Sequence, residues 1–153
     1  MGGSEPLCPV CAKELSATTF AGVDLRFCAP PCKSVLLAQI DMIRTLEGMS
    51  GPLLRDFDPD TKLEPVVTKG EPLACPVCAG AMAREDYCAA GLAHFDRCTP
   101  CGLLWIGADE LRTMTMMWAR MERRSERTQR TIDAALAETN SFVDNVLLGR
   151  WFF

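Results

Sequence analysis

The sequence predicts a small α+β protein built as two tandem four-cysteine units, each followed by a helix, with a C-terminal helical extension. Three observations carry that expectation. Cys8-Pro9-Val10-Cys11 is answered by Cys28-Ala29-Pro30-Pro31-Cys32, and Cys75-Pro76-Val77-Cys78 by Cys98-Thr99-Pro100-Cys101. The stretch between the two cysteine pairs of each copy has the length of a β-hairpin. Downstream of each copy, apolar residues recur at helical spacing.

Two paired-thiol knuckles joined by a hairpin bring four soft sulfurs to the corners of one tetrahedron, and Zn2+ is the metal that most often fills such a site. Cys8, Cys11, Cys28 and Cys32 are the expected ligands of one ion, and Cys75, Cys78, Cys98 and Cys101 of a second. Four protein ligands leave no open position for water, so both ions are expected to be structural. An iron site of rubredoxin type also uses two such knuckles, but the separations here, from Cys11 to Cys28 and from Cys78 to Cys98, are short for it. The chain thus reads as two tandem four-cysteine zinc ribbons. Each is too small to rest on an apolar core alone, and a structural zinc contributes roughly 10–16 kcal/mol to small fingers.

The elements follow in order. Leu15 to Phe20 and Val23 to Cys28 form the first hairpin, turned at Ala21-Gly22. Ser34 offers an N-cap, and Leu36, Ile40, Ile43 and Leu46 predict a helix over 35–47 that Gly48 stops. Residues 1–48 are therefore the first ribbon with its helix. Residues 49–71, punctuated by Pro52, Pro59 and Pro65, are a linker, in which 65–68 can add a short strand. Leu53, Leu54 and Phe57 can staple that linker to a ribbon. Residues 72–107 are the second ribbon, with strands over 82–87, 92–98 and 103–106. Asp109 and Glu110 then open a long helix, carboxylates sitting where its dipole favours them, that runs to about Glu138. Asn140 or Ser141 caps a last short helix, and the chain closes on Trp151-Phe152-Phe153.

The second copy carries more than cysteines. Cys75-Pro76-Val77-Cys78, Met82, Phe95-Asp96-Arg97-Cys98-Thr99-Pro100-Cys101-Gly102, Leu104-Trp105-Ile106 and Asp109-Glu110-Leu111 together resemble the transcription-factor-IIB-type zinc-ribbon family of bacterial proteins. That family's pattern runs CPxC, an apolar residue, iDxCxxCgGxWlD and a following EL. The chain departs from it at Leu103, where a second Gly is usual, and at Gly107, where Asp is usual. The resemblance implies that Cys75, Cys78, Cys98 and Cys101 hold zinc, that Trp105 packs on the hairpin, and that Leu111 begins the C-terminal helix. Residues 6–48 resemble a degenerate copy, with an extra residue in the second knuckle and no Trp. A family name of this kind reflects likeness of the ribbon and does not establish a role in transcription.

Composition narrows the function. The net charge is −4, and because four thiolates on one divalent ion leave −2 per site, two loaded sites take the chain to about −8. Neither ribbon has the basic face of a nucleic-acid binder. The start Met1-Gly2-Gly3-Ser4-Glu5-Pro6 lacks a signal peptide's basic region and apolar run, and Pro6 spoils a myristoylation motif. With metal spacing among an odd number of cysteines, the expectation is a reducing cytoplasm, no disulfide framework and no membrane span. No nucleophile has a neighbouring base and no phosphate loop is present, so no enzymatic activity is expected.

Several residues are left over. His94 is read as a strand residue and Cys88, near the hairpin tip, as a spare thiol. The stripe Met114, Met117, Trp118 and Met121 reads as core or as an adaptable binding face. Arg120, Arg123, Arg124, Arg127 and Arg130 read as a solvated helix face or as a contact for nucleic acid. Phe142, Val146, Leu147, Trp151, Phe152 and Phe153 need an apolar surface, on this chain or on a partner. The expected function is a non-catalytic zinc-binding adaptor or scaffold. It would present Met114, Met117, Trp118 and the aromatic tail to a protein partner or to its own copy. A nucleic-acid- or RNA-polymerase-associated factor is the alternative, and a thiol or zinc redox sensor using Cys88 or the irregular first site is a weaker one.

Overall fold

The computed structural model describes residues 5–53, 55, 58, 61–67 and 70–146, with side chains described as far as 137 except at 52 and 53. By its internal contacts the chain divides into two units, Met1–Trp118 and Ala119–Phe153.

In the first unit, strand β1 (Ser16–Phe20) turns into β2 (Val23–Phe27) through Ala21 and Gly22. Both turn residues have positive φ, 51° and 75°, the backbone that a two-residue hairpin needs to match strand twist. Strand β3 (Val35–Ala38) follows the second knuckle, and after a 3-10 turn at Gln39–Asp41 comes helix α1 (Met42–Leu53). The second half repeats the order: β4 (Ala83–Asp86), a turn at Tyr87–Ala89, β5 (His94–Cys98), β6 (Leu103–Ile106) and helix α2, which opens at Ala108.

All six strands join one sheet in the order β1-β2-β3-β6-β5-β4, and every neighbouring pair is antiparallel. The order reads alike from both ends, because the halves meet through their third strands. Val35 lies opposite Ile106, Leu36 opposite Trp105, Leu37 opposite Leu104 and Ala38 opposite Leu103. Leu36 and Trp105 each stand four residues after the last cysteine of their half. Equivalent positions of the two halves therefore face each other at the centre of the sheet.

Strand alternation then sorts two cores onto the two faces. Leu25, Val35, Leu37, Leu104 and Ile106 pack with Leu46 of α1 and with Leu111 and Met114 of α2. On the other face Leu15, Leu36, Met82 and Trp105 pack with the buried cysteines.

The structure corrects several expectations. Residues 35–38 are a strand, not the start of a helix, and Ser34 caps none. An apolar run as short as Val-Leu-Leu-Ala fits either element. Between β2 and β6 it buries both faces, whereas a helix through Ile40 would bury one; Ile40 is 88 % exposed. Next, Gly48 does not end the helix. It lies within α1 because a Cβ there would meet the Ala21 Cβ at 2.6 Å and the Phe20 ring at 3.1 Å, so the glycine admits the hairpin turn against the helix. Last, helix α2 runs unbroken over Ala108–Val146, so Asn140 and Ser141 start no separate helix. Residues 65–67 form no strand, although the Val66 N–H donates to the Leu92 carbonyl at 2.9 Å. Leu54, Phe57 and Thr68 lie outside the described residues, and nothing is described of the Leu53 side chain.

In the second unit α2 continues from Ala119, exposed throughout residues 124–137. Local pairs line it: Gln129 donates to Asp133 at 2.8 Å, and Arg130 lies 3.9 Å from Glu126. Among the described residues no helix is long and apolar enough to cross a membrane.

Candidate metal centres

The two first knuckles are built alike. An isolated bridge pairs Leu7 with Glu14 in one and Ala74 with Ala81 in the other. The Cys8 N–H donates to the Lys13 carbonyl at 2.7 Å, and Cys75 to Gly80 at 2.8 Å. Ala12 and Ala79 close the turns, each at φ 58°, donating back to the Cys8 and Cys75 carbonyls at 2.8 Å. This winding aims backbone N–H groups at sulfur. Val10 N–H points to Cys8 Sγ at 3.4 Å, Cys11 N–H to the same atom at 3.5 Å, and Val77 N–H to Cys75 Sγ at 3.4 Å. Such donors stabilise a thiolate.

The second knuckles come from the strand ends. Cys28 follows β2 and Cys98 closes β5, so the hairpins deliver both cysteines to their first knuckles. Leu15 and Met82 sit beneath as buried plugs, each 2 % exposed. The Ala29-Pro30-Pro31 loop absorbs the extra residue of the first site and contains a cis Pro30–Pro31 bond.

All eight predicted ligands are brought together as expected. Cys8, Cys11, Cys28 and Cys32 form one group and Cys75, Cys78, Cys98 and Cys101 another, with the sulfurs of each group within 4.8 Å of one another. A tetrahedron with metal–sulfur bonds of about 2.3 Å has sulfur–sulfur edges of about 3.8 Å. The measured edges include Cys8–Cys32 at 3.8 Å, Cys11–Cys28 at 3.3 Å and Cys78–Cys98 at 3.6 Å. These are far beyond the covalent distance of about 2.05 Å, and all nine cysteines are free. The donor set is soft, complete and of the right size for a four-thiolate metal ion.

The metal-free thiols are unequal, and the two sites share a pattern. A backbone hydrogen bond at Lys13 holds Cys11 below the ordinary thiol range. One at Gly80, with the Cys101 and Cys98 thiols, lowers Cys78 to about 7. Burial raises Cys8 and Cys28. The hydrogen bond with Cys78 keeps the proton on Cys101, whose value is pushed up to about 12. One thiolate per site is thus favoured before metal arrives, and its neighbours act as donors.

Other predicted residues are placed as follows. His94 lies in β5, its Nε2 2.7 Å from Asp86 Oδ1, outside both cysteine groups. Cys88 is exposed at φ 56°. Met114 is fully buried in the helix-side core, and Met117 and Trp118 pack partly buried against it, so Met114 is taken out of any exposed binding face. Phe142 and Val146 lie on α2 with undescribed side chains, and Leu147, Trp151, Phe152 and Phe153 fall outside the described residues.

Two site features escaped the sequence reading. Leu36, assigned to a helix, is the first half's counterpart of Trp105. Asp96 is buried and held by Arg84 across β4 and β5; the Asp was quoted as a motif residue, but nothing local marked its partner. Comparison with protein-family models, with curated proteins and with solved structures finds no match.

Proposed function

We propose that each half is a zinc ribbon, the second of transcription-factor-IIB type. In this reading two structural zinc ions hold the fold, and the chain works as a non-catalytic adaptor in a reducing compartment. The observation that carries the reading is the pair of closed four-thiolate groups. When bound, zinc supplies cross-linking there, and no fifth donor or open position is provided for a substrate. The chain's own part is to hold the thiolates with backbone N–H donors and to exclude water with Leu15 and Met82.

The adaptor part of the reading rests on the distal helix. Met121, Ile132 and Leu136 are large apolar side chains left 43 %, 47 % and 56 % exposed. Residues 121 and 132 stand about three turns apart and 136 one turn further, which gathers them on one side. With Met114 in the core, the proposed contact moves to this stripe and to the tail that follows it. An affinity pull-down with intact chain and chain lacking residues 141–153 tests it. Partner binding or self-association is lost on truncation while two zinc ions remain. Unchanged partners and unchanged solution mass would remove the tail from the interface. Loss of zinc would place the tail in the fold instead.

A second reading, a nucleic-acid contact, draws on Arg124, Arg127 and Arg130, which are exposed on one stretch of α2. Binding that weakens steeply with salt would select it.

A further inference from the structure

We infer that the two metal centres form one cooperative unit, so that occupancy of either governs the other. The inference rests on the proposed zinc reading and goes beyond it, since tandem ribbons would ordinarily load independently. Cys8 and Cys28 of the first centre and Cys75 and Cys98 of the second belong to a single apolar cluster, joined by Leu36 and Trp105. No linker stands between the sites at that point: Leu36 and Trp105 are direct partners across β3 and β6.

The topology leaves neither half a separate way to stay folded. Strand β3 is an inner strand only because β6 covers it, and β6 only because β3 does. Removing the metal from the first centre frees the knuckle that fixes Cys28 at the end of β2 and Cys32 just ahead of β3. A loosened β3 withdraws Leu36 from Trp105 on one face. On the other it withdraws Val35 and Leu37 from Ile106 and Leu104. Trp105 stands four residues after Cys101, so the second centre feels the loss through its own strand. Loss of the second metal loosens β6 and withdraws the same contacts from β3, and thermodynamic linkage requires equal coupling in both directions.

Zinc titration of the full chain, read by native mass spectrometry and by Trp fluorescence, tests this. Fully loaded chain must carry two zinc ions; any other number overturns the zinc reading itself, separately from the coupling. At one zinc per chain, independent equal sites leave about half of the chains with a single ion, whereas tenfold coupling lowers that to about a quarter. A single-ion fraction no lower than that expected for independent sites with the affinities of the intact centres in the Cys11→Ser and Cys78→Ser variants overturns the proposal. Cys11→Ser should lower zinc affinity at the second centre at least tenfold, and Cys78→Ser should lower it equally at the first. Unchanged affinity at the intact centre in either variant overturns it. Leu36→Ala keeps all eight cysteines and guards against a variant that merely fails to fold. It should still bind two zinc ions, but the single-ion fraction should rise towards half. If that fraction stays at the wild-type value, the contact between Leu36 and Trp105 does not carry the coupling and the proposal falls.

Discussion

Arg84 grips Asp96 from the neighbouring strand with two parallel hydrogen bonds, Nε to Oδ1 at 3.0 Å and Nη2 to Oδ2 at 3.2 Å. The carboxylate side chain is only 6 % exposed, and a third donor of the guanidinium reaches the Gly70 carbonyl at 2.9 Å. The pair lies between the edge strand and the strand that ends on Cys98.

Arg84→Ala leaves that carboxylate buried without its cation, and the expected cost is about 3–5 kcal/mol. Replacing both partners by apolar residues, Arg84→Met with Asp96→Leu, should cost much less than the single change, because no orphan charge remains. Urea unfolding of the zinc-loaded chain compares the two. A double variant as unstable as the single would show that the pair contributes by attraction rather than by satisfying a buried charge.

Gly48→Ala sets two effects against each other. Helix propensity favours Ala by about 1 kcal/mol, while overpacking against Ala21 and Phe20 costs about 1–3 kcal/mol. With a contact of 2.6 Å to the Ala21 Cβ, steric cost should win, and the variant should be less stable by about 1 kcal/mol. Gly51, where an added Cβ would meet nothing within 4 Å among the described residues, is the control: Gly51→Ala should be neutral or stabilising. Denaturation midpoints decide.

Metal retention should fall with acid. Without metal, Cys101 keeps its proton up to about pH 12 and Cys78 ionises near 7, so loading the second site at neutral pH must expel protons. Apparent affinity then rises with pH and drops by more than tenfold per unit as pH falls below 7, since more than one proton competes. Competition with a chromophoric chelator between pH 6 and 8 measures the slope. Cys98→Ser should lose its zinc throughout that range, and visible iron–thiolate absorption in the purified chain would contradict zinc.

Binding to DNA or RNA should be absent at physiological salt, because the chain is acidic, at −4 before any metal. Fluorescence anisotropy with labelled oligonucleotides checks this. Sub-micromolar, sequence-selective binding lost on replacing Arg123, Arg124 and Arg127 would reverse the ranking of the two functional readings.

The two cysteine groups were legible because their spacing is local: four cysteines at knuckle spacing come together whatever surrounds them. Both hairpins were legible for a similar reason, through turn residues such as Ala21-Gly22. The joining of the halves was not. Whether Val35–Ala38 becomes strand or helix is settled by β6, far along the chain, and a periodicity argument sees only neighbours. Helix α2 misled in the opposite way, since Asn140 and Ser141 are good caps that a continuous helix overrode. The role of Gly48 depended on a hairpin turn packed against the helix, which no local pattern records.

The pairing of β3 with β6 also dictates an order of events during synthesis. Ala38 leaves the ribosome ahead of Leu103 by roughly 3–13 s at ordinary elongation rates. Throughout that delay the first half carries an uncapped strand bearing Val35, Leu36 and Leu37. On a message read by several ribosomes, that strand is equally complementary to β6 of a neighbouring nascent chain. Exchange of halves between two chains would satisfy every strand pairing and both cysteine groups, making a swapped dimer the natural by-product of crowded expression.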